Sequence, residues 1–367
     1  MRFVSAILLG LLAAGCAAPT LKPMTVSQRE TYTEAYVADM RRVRKVHWEL
    51  ATKAVALCPR KAAALGAEIL TKPKGELGLA MEKLYGVGDE PTVLFVLEGG
   101  PAESAGLKPR DRVISIDGIS AGEAKAIADR LRAVSGGAMV SLPVVARRGS
   151  DTLVLAVTPV QACDYPVELD EQQAVNAHSD GERILIARGM VSFARTDEEL
   201  ALVIAHEMAH NTMHHIYARW RNETGGIVAD IALKFLTRGL YQGSMLTQAA
   251  SHAYSPESEV EADYVGLYML ASTGYAIDDA PKFWRRMAAA NPSSSADSHT
   301  SSHPSTDYRM AALEEAVKEI QARRQAGVAL LPQKKDGKDG SGWKVPSHES
   351  RKGEANCFLG PDGRCSR

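Results

Sequence analysis

The sequence predicts an α+β fold in which a mainly helical domain is interrupted by an inserted β-rich domain. Apolar residues recur at three- and four-residue steps between Val26 and Leu57 and again between Leu200 and Met208, which is the spacing of an amphipathic helix. Residues 75–160 instead contain short alternating runs between glycines and prolines, which are typical of short strands. The length of 367 residues leaves room for two to three domains at roughly 150 residues each.

Composition narrows the class of protein. Hydrophobic residues make up 45% of the chain and charged residues 24%, which is typical of a globular protein rather than a disordered one. Lysine and arginine together number 43 against 44 aspartates and glutamates, so the formal net charge is -1. This balance gives no electrostatic reason for binding to nucleic acid, and we expect no such partner.

The first residues have the features of an export signal. Arg2 is followed by an apolar run over residues 3–12, which is too short for a permanent membrane span, and then by small residues up to Cys16. The end of this stretch resembles the bacterial lipobox, although Ala13 stands where a branched aliphatic residue is usual. The resemblance implies a lipoprotein signal peptide over residues 1–15 and a lipid on Cys16. A plain secretory signal is the alternative.

The expected mature chain begins with a tether over residues 16–26 that is rich in proline and threonine. We assign residues 27–74 to the first, helical part of the large domain. Either signal implies export to the cell envelope. In a host with two membranes, Ala17 after the lipidated cysteine resembles the class sorted to the outer membrane, so we expect a lipid-anchored protein on the periplasmic face.

The segment from Gly100 to Gly118 resembles the PDZ domains of bacterial envelope proteases, which implies a PDZ domain over residues 75–160. Such a domain binds a peptide as an added strand, while backbone N–H groups meet the peptide's terminal carboxylate. The resemblance implies a carboxylate-binding loop and a groove-lining helix face, carried by Leu77, Gly78 and Leu79 and by Ile127 and Leu131 respectively. A small β-rich spacer is the alternative.

Five cysteines are present, and one of them is the expected lipid carrier. Cys58 precedes the inserted domain and Cys163 follows it, so in an oxidising compartment we expect a disulfide between them. Closing so long a loop raises the free energy of unfolding by roughly 4 to 5 kcal/mol in the chain-entropy model. Cys357 and Cys365 are close neighbours in a tail rich in glycine, lysine and serine, and we expect a local pair there within a disordered segment over residues 332–367.

The strongest chemical motif is His206-Glu207-Met208-Ala209-His210. Histidines four residues apart lie one helical turn apart on the same face, so both can bind one zinc ion. Glu207 lies one step round the helix, where it can act as a general base. Thr196, followed three residues later by Glu199, predicts a capping box that begins this helix.

A catalytic zinc needs a third protein ligand. The metzincin pattern would require other residues at Met213 and Ile216 and is excluded. A later helix offers Glu259 as the ligand, with Asp263 on the same face to accept an N–H from a ligating histidine. Glu261 is the alternative ligand.

These motifs, together with His303-Pro304 and Arg309, resemble the gluzincin family of HtpX-type heat-shock proteases and CAAX prenyl proteases. The resemblance covers about 140 residues and implies a zincin-type metallopeptidase domain over residues 161–331. It implies His206, His210 and Glu259 as zinc ligands. His303 would lie near the active site, as a contact to the reacting substrate, as a fourth ligand that closes the zinc, or as a loop histidine.

We therefore expect a membrane-anchored zinc endopeptidase with one Zn²⁺ per chain. Its substrates would be misfolded or assembling envelope proteins, aligned along the strand predicted at Ile184–Ala187, and its PDZ domain would recognise protein termini or partners. The alternative is an envelope assembly chaperone or binding scaffold whose protease activity is gated or vestigial.

Overall fold

The computed structural model describes residues 24–216, 254–290, 303 and 307–333, together with the backbone of two short strands at Phe358–Leu359 and Cys365–Ser366. The expected signal peptide, Cys16 and Cys357 lie outside the described residues. The two short strands pair antiparallel near the end of the chain. Among the described residues, no helix combines the length and apolar character needed to cross a bilayer.

The chain enters the large domain through one long helix, α1, at Val26–Lys53. Thr25 begins it with a capping box, since its hydroxyl accepts the Gln28 amide N–H at 3.2 Å while the Gln28 side chain accepts the Thr25 N–H at 2.9 Å. Its buried stripe follows the predicted helical spacing. The helix ends four residues before the predicted limit, and a short 3₁₀ turn at Val55–Leu57 follows.

The inserted domain is built on an antiparallel sheet with the order β2-β3-β4-β6-β7, in which β5 pairs with β4. The strands are β2 Ala67–Leu70, β3 Thr92–Val96, β4 Arg112–Ile116, β5 Ile119–Ser120, β6 Leu142–Arg148 and β7 Asp151–Val157. Helices α2 Gly75–Tyr85, α3 Pro101–Ser104 and α4 Ala124–Val134 complete it. The sheet thus includes a strand upstream of residue 75, and that strand forms one of its edges.

Leu77, Gly78 and Leu79 lie inside helix α2, so the prediction that they form a loop was wrong. The helix packs its partly buried Leu77 against the buried cluster that contains Val37 of α1, whereas Leu79 is 63% exposed. Gly78 is needed for close packing, because a Cβ there would lie 1.8 Å from the carbonyl oxygen of Pro73. Its role in the structure is steric.

A two-stranded sheet lies where the inserted domain joins the large domain, and a three-stranded sheet follows it in the chain. Strand β1, Lys61–Ala64, pairs antiparallel with β8, Val160–Cys163. The expected disulfide between Cys58 and Cys163 is present at this junction, with a Cα–Cα distance of 5.5 Å. A second sheet has the order β10-β11-β9, formed by Ala177–Ser179, Ile184–Ala187 and Val167–Asp170.

The remaining helices enclose the main hydrophobic core with α1. They are α5 Arg188–Phe193, α6 Asp197–Thr212, α7 Pro256–Thr273, α8 Ala280–Ala290 and α9 Asp307–Gln325. Helices α6 and α7 are hydrophobic on nearly all sides and are buried along most of their length, as expected for helices at the centre of a domain. This arrangement places the two motif-bearing helices side by side. The overall architecture is the predicted α+β one.

Candidate metal centre

Helix α6 carries the two motif histidines, and its start is set by local capping. The Thr196 hydroxyl accepts the Glu199 amide N–H at 3.3 Å, as the capping box predicts. The Glu199 carboxylate accepts the Arg195 amide N–H instead of the Thr196 one, at 2.7 Å, so half of the predicted box is replaced by a neighbouring bond. Glu199 also pairs with Arg286 of α8 at 2.6 Å, which ties the start of α6 to the core.

Four buried donors from three parts of the chain converge in the domain. They are His206 and His210 on α6, Glu259 on α7, and His303, each at most 7% exposed. One ligand atom from each lies within 4.8 Å of all the others. The Nε2 atoms of the two α6 histidines are 3.1 Å apart, and the Nδ1 of His303 lies 2.9 Å from Oε1 of Glu259.

Asp263 lies where the sequence predicts it. Its Oδ1 is 3.0 Å from Nδ1 of His206, on the side of the ring that faces away from the other donors. Arg309 of α9 donates to the same carboxylate, at 2.5 Å to Oδ2 and 3.0 Å to Oδ1. Its third nitrogen, Nη1, pairs with Oε2 of Glu259 at 2.7 Å, so one buried guanidinium holds two carboxylates of α7, those of Asp263 and Glu259.

Glu261, the alternative ligand, is not among the four donors. Its Oε2 lies 3.0 Å from Nε2 of His215, whose Nδ1 lies 3.0 Å from Nδ1 of His210. The geometry therefore favours Glu259 as the ligand. Sequence reasoning missed the position of His215, because α6 ends at Thr212 and helical spacing predicts nothing beyond that point.

Burial and neighbouring charges set the protonation states of the donors. Burial lowers the pKa of His210 well below its usual range, so the ring is neutral and has a lone pair to share. Burial alone would raise the pKa of Glu259, but the charges of His303 and Arg309 outweigh it and lower that pKa. For His303, burial opposes protonation, yet the carboxylates of Glu259 and Glu207 raise its pKa.

Glu207 is 2% exposed and lies at the edge of the donor cluster. Its Oε1 is 3.5 Å from Nε2 of His303. Among the residues that the structure describes, its Oε2 has no hydrogen-bond partner. A buried carboxylate oxygen without a partner is costly unless something binds there, so this atom is available to accept a proton from a bound molecule.

The donor set fits a zinc ion. Zinc prefers imidazole nitrogen and carboxylate oxygen in groups of three or four, with the histidines neutral and the carboxylate ionised. His210 and Glu259 have the pKa shifts that this requires. His206 and Glu259 are each held from outside the cluster, by Asp263 and Arg309 respectively, as metal ligands commonly are.

The inserted domain places the predicted groove residues in two different regions. Ile127 of α4 packs on the domain core together with Leu65 and Ile69, which belong to or adjoin the edge strand β2. Leu131 packs farther along the same helix against Ala63, Val134 and Leu142. The other predicted groove residues lie on helix α2, whose Leu77 packs against the cluster that contains Val37 of α1. They are Leu77, Gly78 and Leu79. The turn Leu65-Gly66, where Gly66 has a φ of +75°, leads directly into β2 and was not singled out from the sequence.

Two sequence families match adjoining parts of the chain. Residues 146–317 match the sequence family described as peptidase family M48, and residues 92–144 match the PDZ domain family. The match to the PDZ family thus lies directly ahead of the match to peptidase family M48, which includes helices α6 and α7. This confirms the predicted family.

Two curated relatives share the name mitochondrial metalloendopeptidase OMA1. The Schizosaccharomyces pombe protein is 28% identical over 176 residues, covering 47% of this chain and 52% of the relative. The Arabidopsis thaliana protein is 28% identical over 169 residues, covering 44% of this chain and 33% of the relative. The chain therefore spans about half the length of the first relative and about a third of the second.

Two solved structures of HtrA-type proteins show low overall similarity. The HtrA-type protease AlgW with a decapeptide has a TM-score of 0.23 and 21% identity, covering 28% of this chain and 30% of that chain. The HtrA3 PDZ domain bound to a phage-derived ligand has a TM-score of 0.20 and 16% identity, covering 28% of this chain and 88% of that one.

Proposed function

We propose that the protein is a zinc-dependent endopeptidase of polypeptide substrates. The observation that carries this proposal is the convergence of His206, His210, Glu259 and His303 within 4.8 Å, with the Glu207 carboxylate 3.5 Å from His303. A pure scaffold has no need of a buried carboxylate in that position. One zinc ion per chain fits the single donor group found among the described residues.

His206, His210 and Glu259 would hold the metal. When bound, zinc polarises a substrate carbonyl and makes water more acidic at neutral pH. Glu207 takes the proton of the attacking water on Oε2, the oxygen that has no hydrogen-bond partner among the described residues. It then gives that proton to the leaving amine. Asp263 keeps the ring of His206 in one orientation by accepting the hydrogen of Nδ1.

The substrate's backbone is aligned by the small sheet beside α6. Strand β11, Ile184–Ala187, lies between β10 and β9 within that sheet. Its position between two strands leaves it without a free edge, so the predicted pairing of substrate with this strand gains no support. The edge strands β9 and β10 are the available partners for an extended peptide.

The test of the proposed activity is a comparison of the protein with its Glu207→Gln variant. Both are assayed for zinc content and for digestion of casein. We expect one zinc per chain in both proteins and a loss of at least about a hundredfold in digestion rate for the variant, because general-base catalysis contributes 10² to 10⁴ in rate. Equal digestion by the variant would refute the proposal.

The PDZ domain is proposed to recruit substrates by their carboxyl termini. Strand β2 lies at the edge of its sheet, and Ile69 of β2 and Ile127 of α4 pack on the same apolar cluster. These features support the binding of a peptide that adds to β2 as a further strand and ends in an apolar residue. The turn at Leu65-Gly66 is the proposed carboxylate contact. A fluorescent decapeptide ending in valine should bind at least about tenfold more tightly than its carboxamide form, because the carboxylate meets backbone N–H groups. Ile127→Ser should weaken binding of the free-acid peptide, because it removes an apolar contact.

Attachment to a membrane through lipidated Cys16 is proposed from the sequence. The disulfide between Cys58 and Cys163 supports an oxidising compartment such as the bacterial envelope. Incorporation of labelled palmitate in the producing cells, lost on Cys16→Ala, is the expected result. Envelope proteins that misfold or assemble on that membrane are the proposed substrates.

One observation favours the second candidate function, a scaffold or assembly chaperone with a gated site. A tetrahedral zinc with four protein ligands has no open position, and His303 completes a set of four. In that case His303→Ala would retain zinc and digest casein faster. A slower His303→Ala protein would instead indicate that His303 contacts the reacting substrate. If Glu207→Gln supports full cellular function, the scaffold function is the one that matters in the cell.

A further inference from the structure

His210 has a contact on the outer side of its ring that no sequence motif predicts. Its Nδ1 lies 3.0 Å from Nδ1 of His215, and Nε2 of His215 lies 3.0 Å from Oε2 of Glu261. The His215 side chain is 6% exposed and that of Glu261 is 14% exposed. The chain therefore brings an imidazole and a carboxylate in series against one of the proposed zinc ligands.

The backbone after α6 explains how His215 reaches this position. Two residues five apart on a continuous helix lie about 140° apart round its axis, so they would not meet. Helix α6 ends at Thr212, and His214 has a φ of +57°, in the left-handed region. The chain leaves the helix direction at this residue, and the ring of His215 comes to lie against the ring of His210, with centroids 5.0 Å apart.

The hydrogen positions follow from the direction in which His210 faces. Its Nε2 points into the donor cluster, 3.1 Å from Nε2 of His206 and 3.3 Å from Oε1 of Glu259. A nitrogen that binds a metal carries no hydrogen, so the hydrogen of a neutral His210 is on Nδ1. That N–H donates to Nδ1 of His215. The hydrogen of His215 is then on Nε2, and it donates to Glu261.

We propose that His215 and Glu261 form an outer arm that positions His210 for zinc, and this rests on the proposed function of the site. The arm fixes both the tautomer and the orientation of the ring, as the Asp263 carboxylate does for His206. Residues two apart on a helix face different directions, so Glu259 reaches the metal while Glu261 reaches His215. The carboxylate that the sequence offers as an alternative ligand thus acts through another residue.

Substitutions at both positions of the arm test the proposal. His215→Phe keeps a planar ring but removes the acceptor, whereas His215→Asn places a side-chain oxygen close to the position of Nδ1. A second pair changes Glu261. Glu261→Leu removes the acceptor for His215, whereas Glu261→Gln keeps a side-chain oxygen that can accept. The control is His178→Phe, an exposed histidine on β10. Zinc affinity is measured by competition with a chelator, and the thermal midpoint in excess chelator reports folding.

We expect His215→Phe to weaken zinc binding by about tenfold to a hundredfold, the usual effect of losing an outer partner of a ligand. His215→Asn should recover most of the affinity, and His178→Phe should bind like the parent protein. Glu261→Leu should bind about tenfold more weakly, and Glu261→Gln should lie between it and the parent. The thermal midpoints in chelator should change little.

Three results would overturn the outer arm. They are unchanged zinc affinity in His215→Phe, equal losses in His215→Phe and His215→Asn, and an equal loss in the His178→Phe control. If His215→Phe does not fold, the Glu261 pair decides, and parental affinity in Glu261→Leu refutes the proposal. Absence of zinc binding by the parent protein refutes the proposed function instead, so the two failures are distinguishable.

Discussion

Gly266 of α7 lies directly against the backbone of His206 on α6. A Cβ at residue 266 would be 3.1 Å from the amide nitrogen of His206 and 3.2 Å from the carbonyl oxygen of Ala205. The two helices that supply the proposed zinc ligands therefore approach as closely as their backbones allow. The distance between His206 and Glu259 depends on this contact, because each residue is held by one of the two helices.

Gly266→Ala should weaken both folding and zinc binding. The added methyl group meets backbone atoms that cannot rotate away, so the helices must separate by a few tenths of an ångström. Overpacking of this kind costs about 1 to 3 kcal/mol. Urea unfolding and zinc competition measure the two effects. Gly137→Ala is the matched control, because a Cβ there meets nothing within 4 Å; equal behaviour of the two variants would contradict the role of the contact.

Arg309→Met should destabilise the protein by about 3 to 5 kcal/mol, because it leaves Asp263 and Glu259 as buried carboxylates without their cation. The Arg309 side chain is 3% exposed and packs over the ring of Trp284 at 4.7 Å. Urea unfolding in excess chelator measures the change, because bound zinc would supply a cation to Glu259. Arg285→Met, which removes an exposed pair with Glu314, should cost less than about 1 kcal/mol. A cost for Arg309→Met as small as that of the control would argue against a structural role for the buried network.

Reduction of the disulfide between Cys58 and Cys163 should lower the free energy of unfolding by about 2 to 5 kcal/mol. The bond closes a loop of 105 residues that contains the whole inserted domain, and its main effect is to restrict the unfolded chain. Urea midpoints with and without reductant provide the measurement. The double variant Cys58→Ser, Cys163→Ser should be insensitive to reductant. If reductant does not change the urea midpoint of the parent protein, the disulfide contributes nothing to stability.

Acid should destabilise the protein partly through His47. Burial, with the neighbouring charge of Arg44, lowers the pKa of His47 from 6.5 to about 4, while its Nε2–H donates to the carbonyl oxygen of Tyr165 at 2.8 Å. The folded protein therefore binds this proton less readily than the unfolded chain does. The contribution to stability is complete above pH 6.5, declines as the pH falls toward 4, and amounts to at most about 3 kcal/mol.

His47→Gln isolates this effect, since a glutamine amide can donate to the same carbonyl oxygen but does not titrate. The parent protein should lose more stability than His47→Gln between pH 6.5 and pH 4, as measured by urea unfolding at each pH. Parallel pH profiles for the two proteins would mean that His47 is not the responsible group.

The helical parts of the fold were predictable because they are encoded locally. The spacing of apolar side chains predicts α1, and the same spacing with the capping residue Thr196 predicts α6. The prediction that Leu77-Gly78-Leu79 forms a loop was wrong, because it rested on the resemblance of a short segment. A short apolar segment with a glycine fits a loop as well as a helix. Leu77 packs against a cluster that contains Val37 of α1, forty positions earlier in the chain, and local sequence carries no information about that contact.

The candidate metal centre likewise has some features that follow from local sequence and others that follow from tertiary packing. The motif alone is enough to predict that His206 and His210 share one helix face and that Glu207 lies beside them, because a four-residue spacing has only one geometry on a helix. The choice between Glu259 and Glu261, the approach of His303 to the donor set and the contact of His215 with His210 depend on tertiary packing. Those relations join residues 5 to 97 positions apart, and they depend on how closely α6 and α7 pack and on where α6 ends. Local spacing carries no information about either.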